Sequence, residues 1–142
     1  MAQAKKERKT EPFSIRLSPA TDAIVTEEAR RSGRSRGAIV EELALEAAKM
    51  RLFPGIAFRG RPRRAWIIGT GLEVWEVITI AESFAGNTTE MFANYPRLTE
   101  RALHLAQAYA ERFPDEIEHF LDGNRRPLEE LKALYPFISF GD

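Results

Sequence analysis

The sequence predicts a mainly helical α+β protein, in which a strand and two helices precede a β-hairpin and a second helical region. Apolar and polar residues alternate over residues 13–17, as in a half-buried strand, whereas most later apolar residues recur at helical spacing. Capping residues, prolines and glycines separate the helical segments.

The net charge of zero conceals two oppositely charged halves. Residues 1–65 contain fifteen Lys/Arg and eight Asp/Glu, a net charge of +7, and residues 66–142 contain six and thirteen, a net charge of −7. This division predicts a polyanionic partner for the first half and a different binding surface in the second. The alternative is solvated surface charge with no partner.

The composition argues against several kinds of site. The chain has no cysteine, which excludes disulfides and thiolate metal sites, and it has only two histidines, His104 and His119. Glu116 and His119 lie one helical turn apart without a third ligand in reach, so we expect a surface pair. Gly69 and Gly71 lack the third glycine of a dinucleotide-binding motif and predict a turn. We therefore expect no metal and no cofactor.

The sequence also argues against an enzyme and against a membrane protein. No nucleophile stands beside a base in a recognisable motif. No apolar run reaches the roughly 18 residues that a membrane helix needs, and the first residues lack the apolar core of a signal peptide. With the absence of cysteine, these features favour a cytoplasmic location.

The first residues predict a flexible basic arm, residues 1–11, followed by a strand at residues 13–17. An isolated strand leaves its backbone groups unpaired, and no second strand lies nearby in the first fifty residues. We therefore expect it to pair with the same strand of a second chain, as an antiparallel ribbon. The side chains expected to face the helices are Phe13, Ile15 and Leu17. Those expected to face outward are Ser14 and Arg16.

Two helices follow, each with start and stop signals. Ser18 is a natural N-cap and Pro19 a natural first residue of the first helix, which we expect to end at Gly33. Ser35 caps the second helix, which we expect from residue 36 to about residue 52, before Pro54. Its apolar residues at helical spacing are Ile39, Val40, Leu43, Ala44, Ala47 and Met50.

The strand FSIRL, the Ser18–Pro19 cap, the turn at residues 33–35 and the apolar residues 39, 40 and 43 resemble the ribbon-helix-helix DNA-binding proteins of the Arc, MetJ and CopG type. The resemblance implies a dimer whose outward strand residues read bases and whose second helix grips a phosphate with its first residues. The DNA-binding residues that it implies are Ser14, Arg16, Arg34, Ser35, Arg36 and Gly37. The dimer-core residues that it implies are Phe13, Ile15, Leu17, Ile39 and Leu43.

The first helix departs from the pattern of that family. It has Thr21, Glu28 and Ser32 where the family usually carries apolar residues. The residues left to pack are Ile24, Val25 and Ala29.

The second half predicts a strand at residues 65–68, a tight turn at residues 69–71 and a return strand at residues 72–74. Thr88 and Thr99 are expected to cap two of the helices that follow. The predicted helices cover residues 75–84, 88–95, 100–113, 114–121 and 127–135.

Three segments of this half carry a second resemblance: IIGTGLEV at residues 67–74, the helix at residues 75–84, and the runs NTTE and YPRLT at residues 87–90 and 95–99. Residues 56–122 are similar to a domain associated with type II antitoxins of the VapB kind. That resemblance implies a PIN-like ribonuclease toxin as partner.

The two helices on either side of Pro96 also resemble a helix-turn-helix. The second of them offers Arg101 and Arg112 against Glu100 and Glu111, and a near-neutral helix reads a DNA groove poorly. We therefore expect this helix-turn-helix-like domain to contact protein.

The last segment, residues 124–142, predicts a helix and an apolar tail with two arginines near its start. The tail either packs into its own domain or docks on the toxin, where an arginine would block the carboxylate site of the nuclease. The candidate toxin-binding residues are Arg125, Arg126, Leu131, Leu134, Tyr135 and Phe137.

The sequence therefore predicts an antitoxin that binds operator DNA as a homodimer, represses transcription and neutralises a PIN-like nuclease, in a complex that can be of higher order. The alternative is a stand-alone ribbon-helix-helix regulator whose second domain oligomerises or senses a ligand. A third class, a catalytic domain on a DNA-binding arm, would show metal-dependent turnover. The predicted segments are the basic arm (1–11), the ribbon-helix-helix domain (12–53), an Arg-rich connector (54–64), the antitoxin-type domain (65–123) and the C-terminal helix and tail (124–142).

Overall fold

The computed structural model describes residues 10–124 and, beyond them, Ala133. The chain divides into two compact units, Met1–Ala44 and Leu45–Asp142. The elements are α1 (Pro19–Ser32), α2 (Arg36–Leu52), β1 (Ile56–Arg59), β2 (Arg64–Ile67), α3 (Val74–Ser83), α4 (Thr88–Asn94), α5 (Glu100–Arg112) and α6 (Pro114–Asn124). This is the mainly helical α+β class that the sequence predicts. None of the helices described has the length and apolarity that a membrane span requires.

The ends of the first two helices are as predicted, because local capping determines them. Ser18 has extended backbone, and its Oγ accepts a hydrogen bond from the Thr21 N–H at 3.3 Å. Gly33 ends α1 with φ 68°, in the left-handed region that glycine adopts without strain. At the start of α2, Ser35 Oγ accepts from the Ala38 N–H at 3.1 Å.

The predicted N-terminal strand is not a strand in the single chain, where residues 10–18 lie outside any helix or ladder. A strand is defined by hydrogen bonds to a neighbouring strand, and the first unit provides no such neighbour among the residues described. The sequence predicted the same lack of a partner within the chain.

The first helix packs through fewer residues than the sequence suggests. Val25 is buried and Ala29 is half-buried, but Ile24 is exposed. Because α1 has polar residues at positions 21, 28 and 32, Val25 is its one fully buried residue in the part of the single chain that the structure describes.

In the second unit, the predicted pairing of the hairpin is wrong. β2 pairs antiparallel with β1, with Ile56 opposite Ile67, and the expected return strand at residues 72–74 contributes only the bridge between Trp66 and Glu73. Pairing with β1 buries Ile56 beside Ile67 in the core, which favours β1 over the nearer residues 72–74 as the partner of β2. The Arg-rich segment at residues 54–64 thus contains β1, and the predicted domain boundaries stay a prediction.

The tight turn at residues 69–71 is present and is held by Thr70. Its buried Oγ1 donates to the Ile67 carbonyl at 2.8 Å and accepts from the Leu72 N–H at 2.9 Å. Directly after this turn, Glu73 and Glu76 form a capping box that starts α3. The chain enters a helix here because those two carboxylates satisfy its first N–H groups.

Caps also set the later helices, with one correction. Asn87, not Thr88, caps α4, since Asn87 Oδ1 accepts from the Glu90 N–H at 3.2 Å. Thr99 caps α5 as predicted. The core of this unit is formed by buried side chains of the hairpin, of α3–α6 and of the turn between α4 and α5, among them Ile56, Ile67, Val74, Val77, Met91, Leu98, Leu103, Ala106, Tyr109, Ile117 and Leu121.

A nearly buried cation lies at the edge of that core. The Lys49 side chain is only 11% exposed, and its Nζ lies 3.4 Å from Glu116 Oε1. The Nζ also lies 4.4 Å from the centroid of the Phe113 ring. Burial, with the nearby Glu116 carboxylate, raises the pKa of the Tyr109 phenol above its ordinary value. Among the residues described, the buried Tyr109 hydroxyl and Glu116 Oε2 have no hydrogen-bond partner.

We expect Lys49→Ala to destabilise the second unit by about 2–4 kcal/mol, because it leaves a partly buried carboxylate without its cation and opens space between aromatic rings. Urea denaturation followed by tryptophan fluorescence measures this change, since both tryptophans lie in the second unit. Arg112→Ala is the matched control in the same unit, because it removes an exposed cation 5.1 Å from the centroid of the same Phe113 ring, and we expect it to cost less than about 1 kcal/mol. Equal effects of the two substitutions would show that Lys49 contributes no more than a surface charge.

Candidate nucleic-acid interface

The first unit brings its two predicted DNA-binding elements to one cleft. Arg16, from the segment expected to form the ribbon, and Arg36 and Gly37, from the start of α2, line an open cleft of about 490 Å³. Its remaining lining residues are Ile15, Leu17, Asp22 and Val40. A base-reading side chain and a phosphate-binding helix start would therefore face the same ligand.

The first backbone N–H groups of α2 are left without partners inside the helix and are open to an approaching ligand. Ser35 satisfies the Ala38 N–H, and the first backbone hydrogen bond of the helix runs from the Ile39 N–H to the Ser35 carbonyl at 3.1 Å. The N–H groups of Arg36 and Gly37 precede that bond and lie at the positive end of the helix dipole. A Cβ built on Gly37 would meet nothing within 4 Å, so the approach to these groups is open.

The three arginines of the interface differ in their partners. Arg36 forms an ion pair with Asp22, and Arg34 Nη1 lies 2.7 Å from Glu42 Oε2. Arg16 makes no ion pair with any residue that the structure describes. The predicted base reader is thus open to a ligand, whereas the two predicted phosphate ligands already hold carboxylates.

The predicted dimer-core residues are mostly uncovered in the single chain. Phe13 is 82% exposed, Ile15 63% and Leu43 42%, whereas Ile39 is buried and Leu17 is half-buried. Phe13 and Ile15 lie two residues apart, and large apolar side chains exposed so close together mark an interaction surface. Their exposure is what a chain that completes its core with a second copy would show.

Sequence reasoning missed the carboxylates of this interface. Asp22 and Glu42 lie fourteen and eight residues from the arginines that they bind. The Asp22–Arg36 pair depends on how α1 packs against α2, and the Glu42–Arg34 pair joins α2 to the turn before it, so no local spacing indicates either pair. The excess of positive charge in residues 1–65 indicated the arginines and not the carboxylates that bind them.

In the second unit, the Arg-rich segment is held by internal contacts. Arg64 Nε lies 2.8 Å from Glu73 Oε1, Arg63 Nη2 lies 2.7 Å from Glu46 Oε1, and Arg59 Nη2 donates to the Gly71 carbonyl at 3.0 Å. These contacts fasten the hairpin to its neighbours and leave these three guanidinium groups less available to a partner.

A second cleft, of about 360 Å³, lies where the turn after β2 meets the start of α5. It is lined by Arg97 and Arg101, which make no ion pair within residues 10–124, and by Ile68, whose side chain is 57% exposed. It combines positive charge with exposed apolar surface. The predicted toxin-binding residues Arg125, Arg126, Leu131, Leu134, Tyr135 and Phe137 lie outside the described residues.

No group of three metal-binding side chains occurs among the residues described. We expected Glu116 and His119 to form a surface pair, but each has a different neighbour. Glu116 binds Lys49, and His119 packs edge-on against the ring of Phe120, with 5.4 Å between ring centroids. The burial of Glu116 beside Lys49 explains the difference.

Comparison with known families matches residues 11–49 to the ribbon-helix-helix protein, copG family. No curated protein and no solved structure matches the chain. The match covers the segment before α1, which contributes Ile15, Arg16 and Leu17 to the cleft, together with α1 and most of α2. Residues 11–49 are therefore similar to a ribbon-helix-helix domain, and domains of that family dimerise and bind DNA.

Proposed function

We propose that the chain is the antitoxin of a type II toxin–antitoxin pair, which binds its operator as a homodimer and neutralises a PIN-like ribonuclease. The observation that carries the DNA-binding part is the shared cleft, where Arg16 lies beside the open helix start at Gly37. The exposed Phe13 and Ile15 support the dimer.

The mechanism of operator binding follows from this arrangement. Two copies of residues 13–17 form an antiparallel ribbon, whose width fits the major groove. Arg16 then reaches a base edge, where a guanidinium is the best partner for guanine O6 and N7. The start of α2 at Ser35 and Gly37 contacts a phosphate. That contact fixes the position of the ribbon along the DNA but carries no sequence information.

The resemblance of residues 56–122 to VapB-type antitoxin domains supports the toxin partner. The acidic second half disfavours a second DNA contact there, since residues 66–142 carry a net charge of −7. The cleft at Arg97 and Arg101 and the tail with Arg125 and Arg126 are the surfaces that we propose for the nuclease.

The alternative, a stand-alone regulator, differs in one observable. An antitoxin co-purifies with the product of an adjacent reading frame, and that product would be a short, Asp-rich protein with nuclease activity. A regulator whose second domain oligomerises or senses a ligand binds DNA equally well with or without it.

We expect Arg16→Ala to cost about 1–3 kcal/mol of discrimination at one operator position, because it removes a base contact. Ser35→Ala should weaken all duplexes about equally, because a phosphate contact carries no sequence information. Fluorescence anisotropy with the selected operator and with single-base variants distinguishes the two patterns. Unchanged preference after Arg16→Ala would show that the ribbon does not read the bases.

A further inference from the structure

We propose that Asp22 and Glu42 compete with DNA phosphates for Arg36 and Arg34, and so set the affinity of the domain for the DNA backbone. This inference rests on the proposed function, because it concerns the same interface. It assigns a role to two acidic residues in a part of the chain that otherwise attracts polyanions.

The geometry places the Asp22 carboxylate where a phosphate is expected. Asp22 binds Arg36 and lines the same cleft as Arg16 and Gly37. Its negative charge therefore stands at the rim of the open helix start, within the site that would receive the anion.

Glu42 plays the corresponding part for Arg34, whose Nη1 lies 2.7 Å from its Oε2. Both ion pairs are solvent-accessible, and exposed pairs of this kind are weak enough for a polyanion to displace. DNA binding then exchanges a carboxylate for a phosphate at each arginine, and the displaced carboxylate stays near the phosphate and repels it.

Two consequences follow from this exchange. The carboxylates lower the affinity for any duplex, and they reduce the number of counterions that binding releases, which flattens the salt dependence. Because phosphate contacts carry no sequence information, operator and unrelated duplexes shift by the same factor.

The test uses the full chain, an operator duplex and a scrambled duplex, with fluorescence anisotropy between about 50 and 200 mM salt. We expect Asp22→Asn to tighten binding to both duplexes by roughly 2- to 25-fold over the two sites of a dimer. The slope of log K against log salt should steepen by up to about 0.9 for each carboxylate that is removed from the interface, because the remaining phosphate charge is then neutralised by the arginine alone. Glu42→Gln should act in the same direction, and Asp22→Glu, which keeps the carboxylate, should behave as the unmodified chain.

Glu27→Gln is the matched control. Glu27 lies on α1 like Asp22 and binds Arg30 at 2.7 Å, but it does not line the cleft. The substitution makes the same change in net charge and frees an arginine elsewhere, so the salt slope should not change.

The outcomes separate this inference from the proposed function. If Asp22→Asn and Glu42→Gln bind no more tightly than Glu27→Gln, the carboxylates do not compete with phosphate. If they bind more weakly, Asp22 and Glu42 position the arginines for DNA instead, and the inference is overturned. If the unmodified chain binds neither duplex, the proposed function itself fails.

Discussion

An Ile15→Asp chain is expected to be monomeric at micromolar concentration and to lose DNA binding. Ile15 is 63% exposed in the single chain, and the proposed ribbon covers it with a second copy. A carboxylate at this position would be buried without a partner, at a cost larger than a small dimer interface can offset. The ribbon that reads DNA would not form.

Sedimentation velocity and anisotropy measure both effects. Ile68→Asp is the matched control, because Ile68 is an isoleucine of similar exposure in the second unit, and it should leave the dimer intact. For the unmodified chain, the thermal midpoint of the N-terminal domain should rise with protein concentration, as dimer formation requires. A dimer that persists after Ile15→Asp would show that the chains associate through another surface.

Deletion of residues 125–142 is expected to abolish inhibition of the partner nuclease and to leave operator binding nearly unchanged. The deleted segment contains the proposed anchor residues Leu131, Leu134, Tyr135 and Phe137 and the proposed blocking residues Arg125 and Arg126. A guanidinium placed in a cluster of carboxylates forms bidentate pairs and displaces a divalent metal from it. The DNA-binding domain at residues 11–49 keeps its whole sequence.

Two measurements distinguish a binding role of this segment from a structural one. Urea denaturation of the truncated chain reports whether the second unit has lost part of its core. The double substitution Arg125→Ala and Arg126→Ala keeps every apolar side chain and should still release nuclease activity. If the truncated chain inhibits at equal stoichiometry, the contact lies elsewhere, and the cleft at Arg97 and Arg101 is the next candidate.

Local chemistry made part of this fold predictable. Ser18, Gly33, Ser35 and Thr99 each act through a hydrogen bond or a backbone angle within a few residues, and the helix ends that they set are as predicted. At α4 the predicted cap was wrong by one residue, since Asn87 caps this helix and not Thr88.

Features that depend on tertiary packing were not predictable in the same way. β2 pairs with β1 because this pairing buries Ile56, although residues 72–74 lie nearer along the chain. The Lys49–Glu116 pair joins residues sixty-seven positions apart and needs α2 and α6 in place. In the interface, the alternation at residues 13–17 and the family resemblance indicated Arg16 and Ser35, but the carboxylate of Asp22 enters only through the packing of α1 against α2.

The most direct test of a dimeric, DNA-reading ribbon is selection of binding sites by the unmodified chain from a pool of random duplexes, with the stoichiometry measured on the selected site. We expect an inverted repeat with a guanine in each half-site, bound by an even number of chains, because a twofold ribbon presents two copies of Arg16. Recovery of no common sequence, or of a single asymmetric site bound by one chain, would contradict this function.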